Sequence, residues 1–407
     1  MRISLAVASV LCGMLMGSCV DTSTLAEGGM TGTGIAYGRI TGFGSIYVNG
    51  IHYNVDAAQF YRDGATASGQ GAFVAGEFVT VTGTVGSDGV SGIAERVVFD
   101  SLLKGEVTAV STDGNSLMVL GQTVQTDLLT VLHGFTQLGS LQLGNVLEVS
   151  GVRDAAGVIQ ASSLALLADT PTGLALKLEG VVSGLQSTEK TFHLGGLTVD
   201  YATASLGSLG DAGLVNGQYV QVEASSPVQG TRLVASKVSS KSRYPVHTGS
   251  SRLEIEGLIS AVQDASHFTL AGQAVAVTAS TRFVGLAAAN LIVGRWVEVE
   301  GTVVAGVLQA SEIVLRQADA GIRLQGQITA IDTAAQTLTL QGETLHVDNA
   351  SMLLSGEDMN RLGRPGAHHG VASFADLKVG DYIEVNAIRL ADGSLQVLRL
   401  DRGGRPR

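Results

Sequence analysis

The sequence predicts an all-β protein built as a tandem array of about five small five-stranded barrels. Composition is the first observation: 45% of residues are hydrophobic, 15% are charged, Gly is abundant at 54 and Pro is scarce at 5. Disordered chains have the opposite balance, so a folded chain is expected. Second, short alternating apolar runs are separated by turn residues, which is typical of many short strands. Third, two sequence features recur five times in the same order, which indicates repeated units.

The segment Ile40–Val55 predicts a β-hairpin, because two alternating strands flank a turn at Asn49-Gly50. A tight two-residue turn needs positive φ at its centre, and Asn-Gly supplies it at little cost. Weaker copies with Gly at the same place follow at residues 116–124, 191–199, 267–275 and 337–345. A hairpin is therefore expected in every repeat.

Two anchors bracket these hairpins. A strand opening near a Gly precedes each hairpin, at Gly38, Gly105, Gly180, Gly257 and Gly326. An apolar residue, two spacers, a Gly and an alternating strand follow it, with the Gly at positions 76, 144, 217, 294 and 380. One more strand ends each copy. Each repeat is therefore three strands, a variable linker and two strands.

That strand order predicts an OB-like Greek-key barrel with a short helical turn between strands three and four. Apolar-periodic pieces at 127–133 and 286–291 fit one or two helical turns in the linkers. Closure also removes the free edges that would make so apolar a sheet aggregate, which favours a barrel over the alternative, an open sandwich. In Trp296–Glu300 the valines are expected to face inward and the glutamates outward.

The repeat pattern also gives domain boundaries. We expect a signal peptide at 1–18, a flexible tether at 19–33, repeats at 34–101, 102–168, 176–240, 252–316 and 322–401, and a basic tail at 402–407. The longest polar linker, 241–251, is the expected site of bending, and repeat 5 carries an insertion at about 355–373.

The N-terminus reads as an export signal. Met1-Arg2 precedes an uncharged apolar run, Ile3–Met16, which is too short for a transmembrane helix and suits a signal-peptide core. Met16-Gly-Ser-Cys19 resembles the lipobox of bacterial lipoproteins, which implies cleavage before Cys19, acylation of that residue and an outer-membrane destination facing the periplasm or the cell surface. An ordinary cleaved signal is the alternative. The remaining cysteine, Cys12, lies inside the signal, so no disulfide is expected.

The residues ITGFGSIYVNG at 40–50, with repeated Leu-x-Val-Gly-Asp-x-Val-Glu-Val elements, resemble the bacterial family known as domain of unknown function 5666. The resemblance covers all five repeats and is strongest in the first and loosest in the third. It implies an exported protein built from small β-barrel-like units. It brings no activity, no cofactor and no catalytic residues.

The residues themselves form none of three common catalytic or nucleotide-binding motifs. The sequence contains no Gly-x-Ser-x-Gly elbow and no P-loop, and the glycines of Gly32–Gly38 have one residue too many for a dinucleotide fingerprint. We therefore expect a protein that is not an enzyme and needs no cofactor. A net charge of −11 is repelled by phosphate backbones, so nucleic acid is not an expected partner. The arginines at 399, 402, 405 and 407 are read as a solvated end.

Repeat 1 offers a candidate ligand surface in three aromatic residues, Phe43, Tyr47 and Tyr53. Their spacings are even, so a regular hairpin is expected to place all three on one face. OB-like barrels bind saccharides on this part of the fold, often through aromatic side chains. Core packing is the alternative.

Two candidate metal sites come from acidic residues. Repeat 4 has Glu254 and Glu256 on its first strand and Glu298 and Glu300 on its fourth, and adjacent strands would place these four carboxylates on one outer face. A solvated face with ion pairs to Arg252, Arg295 and Arg316 is the alternative. The insertion in repeat 5 offers a second candidate, His368-His369 with Glu357 and Asp358, against the alternative of a polar loop.

These observations favour a non-catalytic cell-envelope lipoprotein that presents tandem barrels for binding or assembly. The expected partners are the membrane, through the N-terminal lipid anchor, and an envelope protein or a polysaccharide. A glycan- or ligand-binding module centred on repeat 1 is the alternative, and an enzyme of unknown type is less favoured.

Overall fold

The computed structural model describes residues 32–207, 209, 213–241, 252–317, 322–355, 373–390 and 392–403. The regular structure in these ranges is β-strand, apart from short 3-10 turns, so the prediction of an all-β protein is confirmed. No helix within these ranges has the length and apolarity needed to cross a membrane.

The strands of the five repeats follow the chain in order. Repeat 1 contains β1 (Gly32–Phe43), β2 (Ile46–Val48), β3 (Ile51–Asn54), β4 (Gln59–Arg62), β5 (Ala65–Thr66), β6 (Phe78–Val85) and β7 (Ser91–Phe99). Repeat 2 contains β8 (Leu103–Val110), β9 (Ser116–Val119), β10 (Gln122–Gln125), β11 (Val131–His133), β12 (Val146–Arg153) and β13 (Ile159–Ala168). Repeat 3 contains β14 (Leu176–Val181), β15 (Ser183–Gln186), β16 (Thr191–Leu194), β17 (Leu197–Asp200), β18 (Tyr219–Ala224), β19 (Arg232–Val234) and β20 (Lys237–Ser240).

The last two repeats complete the list. Repeat 4 contains β21 (Arg252–Asp264), β22 (His267–Leu270), β23 (Gln273–Val284), β24 (Trp296–Val304) and β25 (Val307–Leu315). Repeat 5 contains β26 (Arg323–Asp332), β27 (Thr337–Leu340), β28 (Glu343–His346), β29 (Met352–Ser355), β30 (Tyr382–Arg389) and β31 (Leu395–Arg402). Three-residue 3-10 turns stand before the fourth strand at Gln70–Ala72, Leu138–Ser140, Ala288–Asn290 and Phe374–Asp376.

In repeat 1 the strands close into a five-stranded barrel. β1 pairs with β2 and β2 with β3, both antiparallel. β3 then pairs with β7 in parallel, β7 with β6, and β6 returns to β1. Repeat 4 closes in the same order with β21, β22, β23, β25 and β24. The predicted closed barrels in tandem are therefore confirmed.

The hairpin turns explain two of the recurring glycines. Asn49 and Gly50 both have positive φ, at 51° and 79°, as a two-residue type I′ turn requires. Gly38 has a different reason, since a Cβ there would stand 1.8 Å from Asn49 Oδ1. In repeat 2 a Cβ on Gly105 would stand 2.1 Å from Leu120 Cγ, and Leu120 is again the first turn residue. The first-strand Gly therefore leaves room for the turn to fold over it.

The linkers contain strands that the sequence did not predict. Val131–His133, part of a segment expected to be helical, forms β11 and pairs in parallel with Ser163–Ala165 of β13. The preceding turn is closed by Asp127, whose Oδ1 accepts from the backbone N–H of Leu129 at 2.9 Å and of Thr130 at 3.0 Å. The helical expectation for 127–133 is wrong because this Asp-based turn ends the helical path before its first turn is complete.

The barrels are joined in pairs by strands. β1 of repeat 1 pairs in parallel with β21 of repeat 4, from Gly34 opposite Arg252 to Tyr37 opposite Ile255. β8 of repeat 2 pairs antiparallel with β14 of repeat 3, and the buried apolar residues of these two repeats form one cluster. Repeat 5 packs through side chains: Met352 and Leu354 contact Ala75 of repeat 1 and Val131 of repeat 2.

Two predicted boundaries and the predicted solvation of Arg399 differ from the structure. Gly32 and Thr33 belong to β1 and pair with Val85 and Thr84, so they are not tether. Arg402 ends β31 rather than opening a tail. Arg399 is not solvated, because its Nη1 donates to Thr130 O at 2.7 Å and its Nε donates to Asp401 Oδ2 at 2.8 Å.

Candidate functional site

The three aromatic residues of repeat 1 do not share a face. Tyr53 pairs with Ile46 and points into the barrel with 1% of its surface exposed, and Phe43 packs partly buried against the same core. Tyr47 pairs with His52 on the outside, where the two rings stack with centroids 4.4 Å apart. The single-face expectation is wrong because a two-residue turn pairs residues of opposite parity, so even spacing across the turn places side chains on opposite faces.

The four glutamates of repeat 4 are brought together as the strand order predicts. Glu254 lies opposite Glu300, and Glu256 lies opposite Glu298, on the outer face of the barrel. The expected solvated face is wrong, however, because these side chains are 2% to 5% exposed. Barrel 4 is covered here by other repeats, so its outer face is an internal surface of the molecule.

Arginines neutralise this face. Arg39 Nε donates to Glu256 Oε1 at 2.6 Å, although Arg39 belongs to repeat 1. Within repeat 4, the matching contacts are Arg316 Nε to Glu298 Oε2 at 2.9 Å, Arg252 Nη2 to Glu300 Oε1 at 2.5 Å and Arg282 Nη2 to Glu312 Oε2 at 2.5 Å. We call these four arginines, their four glutamates and the adjacent Glu254 the repeat 4 network.

The divalent-cation interpretation of Glu254, Glu256, Glu298 and Glu300 finds no support in this geometry. Within the described ranges, no group of three or more His, Cys, Asp or Glu side chains is arranged to hold a metal ion. Arg39, Arg252 and Arg316 stand where a cation would be needed, and buried like charges on adjacent strands are tolerated only with such compensation.

The fifth carboxyl of the network belongs to Glu254, and the charge of Arg316 does not offset the effect of its burial. Burial raises the pKa of Glu254 well above its ordinary value, and the charges of Glu298 and Glu300 raise it further. Its side chain is hydrogen-bonded to Glu298. Protonation of Glu254 would let its carboxyl donate to the Glu298 carboxylate and would leave four glutamates to pair with the four arginines of the network.

A second buried network joins repeats 1, 2 and 3 and was missed from the sequence. Asp63, in the turn between β4 and β5, accepts from Lys104 Nζ at 2.5 Å and from Lys177 Nζ at 2.8 Å. Lys104 also binds Glu148 at 2.9 Å, and Lys177 binds Glu179 at 3.1 Å. The remaining members are Arg62, which contacts Glu77 and Glu148, and Lys241, which contacts Asp100 and Glu179. We call this set the junction network.

Burial governs the ionisation of the junction network. It raises the pKa of Glu77 to about 7, although Arg62 opposes the shift by charge and hydrogen bonding. For Asp63, burial also acts against ionisation, but Lys177 and Lys104 outweigh it and hold the pKa well below its usual range. In the junction network, the charge of Arg62 does not offset the burial of Glu77, whereas two lysines more than offset the burial of Asp63.

A signal for these networks does exist in the sequence. Lys104, Glu179 and Glu256 all stand directly before the first-strand Gly, and Glu148 and Glu298 occupy the same place in the fourth strand. Lys104 lies opposite Glu148 in one barrel, and Glu256 lies opposite Glu298 in another. Charges at matching outward positions of apolar strands therefore mark the faces on which the repeats meet.

Two spaces in the described part of the molecule differ in size and polarity. A cavity of about 20 Å³ lies where repeats 1, 2, 4 and 5 meet and is lined by Arg39, Glu298, Arg399 and apolar side chains. Its volume suits about one water molecule. A larger open cleft of about 630 Å³ lies on repeat 1, between Val55 and Gln70.

The cleft on repeat 1 is polar and carries one available aromatic residue. Its lining includes Asp56, Gln59, Tyr61 and Gln70. Tyr61 Oη donates to Gln59 Oε1 at 3.2 Å, and Arg96 lies 4.2 Å from the centre of the tyrosine ring. Gln70 Oε1 is buried and has no hydrogen-bond partner among the described residues. The cleft therefore offers hydrogen-bonding groups and part of an aromatic face to a polar ligand.

Several predicted sites lie outside the described residues. They are the signal peptide with Cys12 and Cys19, most of the tether, the linker at 242–251, and the insertion with Glu357, Asp358, His368 and His369. The predictions made for them remain predictions.

Comparison with known proteins gives one family. A family described as a domain of unknown function, DUF5666, matches residues 37–98, 104–165, 179–239, 256–314 and 325–399. Each match contains the three strands, linker and two strands of one barrel. No curated protein matches the chain. Since the five matches together cover more than half of the sequence, the chain belongs to the DUF5666 family and carries five tandem copies of its domain.

Proposed function

We propose that this protein is a non-catalytic cell-envelope lipoprotein that presents five OB-like Greek-key barrels as one rigid platform for binding or assembly. The observation that carries the proposal is the use of charged side chains: the two buried networks pair them between and within repeats. Groups held in this way fix the arrangement of barrels and do not face a substrate. The strand order, with the third strand parallel to the fifth, supports the OB-like assignment.

Exposed apolar side chains supply candidate binding surfaces. Leu143, Val293 and Val379 each stand directly before the Gly of the second anchor and are 71%, 52% and 63% exposed. The matching residue of repeat 1, Ala75, is fully buried against repeats 2 and 5. The same turn therefore contacts other barrels in repeat 1 and remains exposed in three other repeats.

Photocrosslinking tests the platform. A photoreactive amino acid at position 143, 293 or 379 of the membrane-bound protein is expected to capture a defined envelope protein in living cells, with exposed Glu189 as the control position. Capture of the same products from position 189, or from none of the four positions, contradicts the proposal.

The lipid anchor is proposed from the sequence at Cys19. Cys19→Ser is expected to abolish labelling by radioactive palmitate and to release the protein from the outer-membrane fraction. Cys12→Ser is the matched control, because Cys12 lies within the apolar run of the signal. Membrane association that persists in Cys19→Ser refutes the anchor without deciding the platform.

The cleft on repeat 1 favours a second candidate function, saccharide binding. Carbohydrate sites combine hydrogen-bonding side chains with an aromatic face, and Gln59, Gln70 and Tyr61 offer both. In calorimetry with oligosaccharides selected on a glycan array, Tyr61→Ala is expected to lose binding and Tyr47→Ala to keep it. Binding that depends on Tyr47 instead would place the ligand on the outer face of the hairpin.

A further inference from the structure

The first strand of each barrel has an edge that its own barrel leaves open. In repeat 5 the second half of β26, Ile328–Asp332, pairs with β27, and the first half, Arg323–Gln327, pairs with β30. Among the described residues, no strand of the same barrel pairs with the side of this first half that faces away from β30. An open edge of this kind is a template for pairing with another strand.

Four of the five repeats use this edge to bind another repeat. In repeats 1 and 4 the first halves of β1 and β21 pair with each other in parallel. In repeats 2 and 3 the first halves of β8 and β14 pair antiparallel. Strand pairing at this edge is therefore how copies of this domain associate within the chain.

Repeat 5 is the exception. Among the described residues, no strand pairs with the outer edge of Arg323–Gln327. Arg323, Gln325 and Gln327 are exposed, whereas Lys177 and Glu179, which take the places of Arg323 and Gln325 in β14, are buried. Because the chain has five repeats and they associate in pairs, the first-strand edge of repeat 5 has no paired strand among the described residues.

Backbone hydrogen bonds show which groups this edge presents. Ile322 O accepts from Ala387 N at 3.1 Å, and Ile328 N donates to Asp381 O at 2.9 Å, so even-numbered residues point towards β30. The alternation of a strand then directs the backbone groups of Arg323 and Gln325 outward. Gln325 O does accept from Gln341 Nε2 at 2.7 Å, which confirms that this side faces away from β30.

The pairing between repeats 2 and 3 shows how two such edges fit. Leu103 lies opposite Leu178, and each stands two residues before the first-strand Gly of its own repeat. Lys104 lies opposite Lys177, and Glu179 N donates to Leu102 O at 3.1 Å, which is the reciprocal arrangement. The register is thus symmetric about a pseudo-two-fold axis at the leucine pair.

We propose that repeat 5 binds repeat 5 of a second copy of this chain through the same antiparallel register, which makes the protein a two-fold symmetric dimer. Leu324 takes the place of Leu103 and Leu178, so it lies opposite Leu324 of the second copy. Gln325 then lies opposite Arg323 of the second copy. The equivalent pair between repeats 2 and 3 is Lys104 and Lys177, whose like charges are both bound by Asp63. Identical edges in this register close with a two-fold axis and leave no further edge open.

Sedimentation velocity tests the dimer. The full chain carrying Cys19→Ser, which removes the lipid as a cause of association, is measured from about 1 µM to about 1 mM, because a three-residue strand contact gives a small interface. This full chain, with repeat 5 otherwise unchanged, is expected to give a reversible monomer–dimer equilibrium. A chain that stays monomeric over the whole range overturns the proposal.

Two variants at one position give the matched comparison. Gln325→Pro removes an outward N–H while sparing the bonds to β30, and an edge strand tolerates proline there; it is expected to weaken association at least tenfold. Gln325→Ala keeps the N–H and is expected to dimerise like the parent. Thermal unfolding confirms that each variant is folded, and Arg323→Pro replaces Gln325→Pro if that variant is not. Dimerisation unchanged by an outward proline overturns the proposal, which stands apart from the envelope function.

Discussion

Arg39 in the first barrel and Glu256 in the fourth are 217 residues apart in the chain and form a buried ion pair, with Arg39 Nε 2.6 Å from Glu256 Oε1. The Arg39 guanidinium also lies 4.9 Å from the centre of the Trp296 ring, and Trp296 Nε1 donates to the same carboxylate oxygen at 2.8 Å. Glu256 is thus fully compensated by groups from two barrels. The pair fixes how repeat 1 sits on repeat 4.

Removing one partner of this pair is predicted to be costly. Arg39→Met leaves Glu256 buried without its main countercharge, so the free energy of unfolding is expected to fall by about 3–5 kcal/mol in urea titration. The control is Arg232→Met, which breaks the pair of half-exposed Arg232 with Asp200 and is expected to cost less than about 1 kcal/mol. Equal losses in the two variants would contradict the buried network.

The raised pKa of Glu254 leads to a second prediction. At pH 7, Glu254→Gln is expected to change stability by less than about 1 kcal/mol, because burial and the charges of Glu298 and Glu300 favour the neutral carboxylic acid, which an amide can replace as a donor to Glu298. Glu256→Gln is the matched control and is expected to cost about 3 kcal/mol, since it removes the charge that Arg39 requires. Urea titration is expected to give a higher midpoint for Glu254→Gln than for Glu256→Gln, and the reverse order would refute the prediction.

Stability is predicted to fall between about pH 5 and pH 8. Burial raises the pKa of Glu77 and of Glu300 to about 7 from an ordinary value of 4.5, against the opposing effects of Arg62 and Arg252. Between these pH values the native state binds more protons than the unfolded state, so the free energy of unfolding decreases as the pH rises. Urea midpoints across this range measure the slope, and Glu300→Gln is expected to reduce it. A slope that is unchanged in that variant would contradict the assignment.

Asp63 gives the opposite dependence at acid pH. Its pKa is held well below the usual range in the folded protein, because Lys177 and Lys104 outweigh the effect of burial. Its contribution is therefore present above the unfolded pKa of 3.8 and is lost as the pH falls through the folded value. Asp63→Asn is expected to lower stability at pH 5 and to flatten the acid limb of the profile below about pH 4. Exposed Asp169 gives the control variant Asp169→Asn, which is expected to leave the profile unchanged.

The first-strand glycines lead to a prediction in which a second substitution is expected to restore part of the lost stability. Gly105→Ala is expected to cost about 1–3 kcal/mol, because its Cβ would stand 2.1 Å from Leu120 Cγ, which is buried and cannot move away. Gly257→Ala is the control, since the nearest atom is Ala271 Cβ at 3.3 Å. Adding Leu120→Ala, which copies the turn of repeat 4, is expected to lessen the penalty of Gly105→Ala. Equal penalties at the two glycines would show that the turn contact is not the cause.

The hairpin of repeat 1 shows how far the sequence reaches. Asn49-Gly50 predicts the turn correctly, and Ile46, Val48 and Ile51 of the two alternating strands are buried in the structure. The position of Tyr47 was wrong because the pairing parity depends on the number of residues in the turn. Strand β11 was missed because its parallel partner, β13, lies about 30 residues later in the chain, and strand pairing at that separation leaves no local pattern.

The sequence by itself determined the repeat, the hairpins and the inward alternation of apolar residues, because each depends on residue types at short spacings that recur along the chain. Only the tertiary structure decided which outward charges are buried. Glu256 and Glu384 stand on the first and fourth strands of their barrels, yet Glu256 is buried against Arg39 while Glu384 lies partly exposed beside Arg323. An outward side chain is solvated or buried according to which barrel lies against it. Which barrels lie together depends on pairing between strand edges that are far apart in the sequence, so no local pattern predicts it.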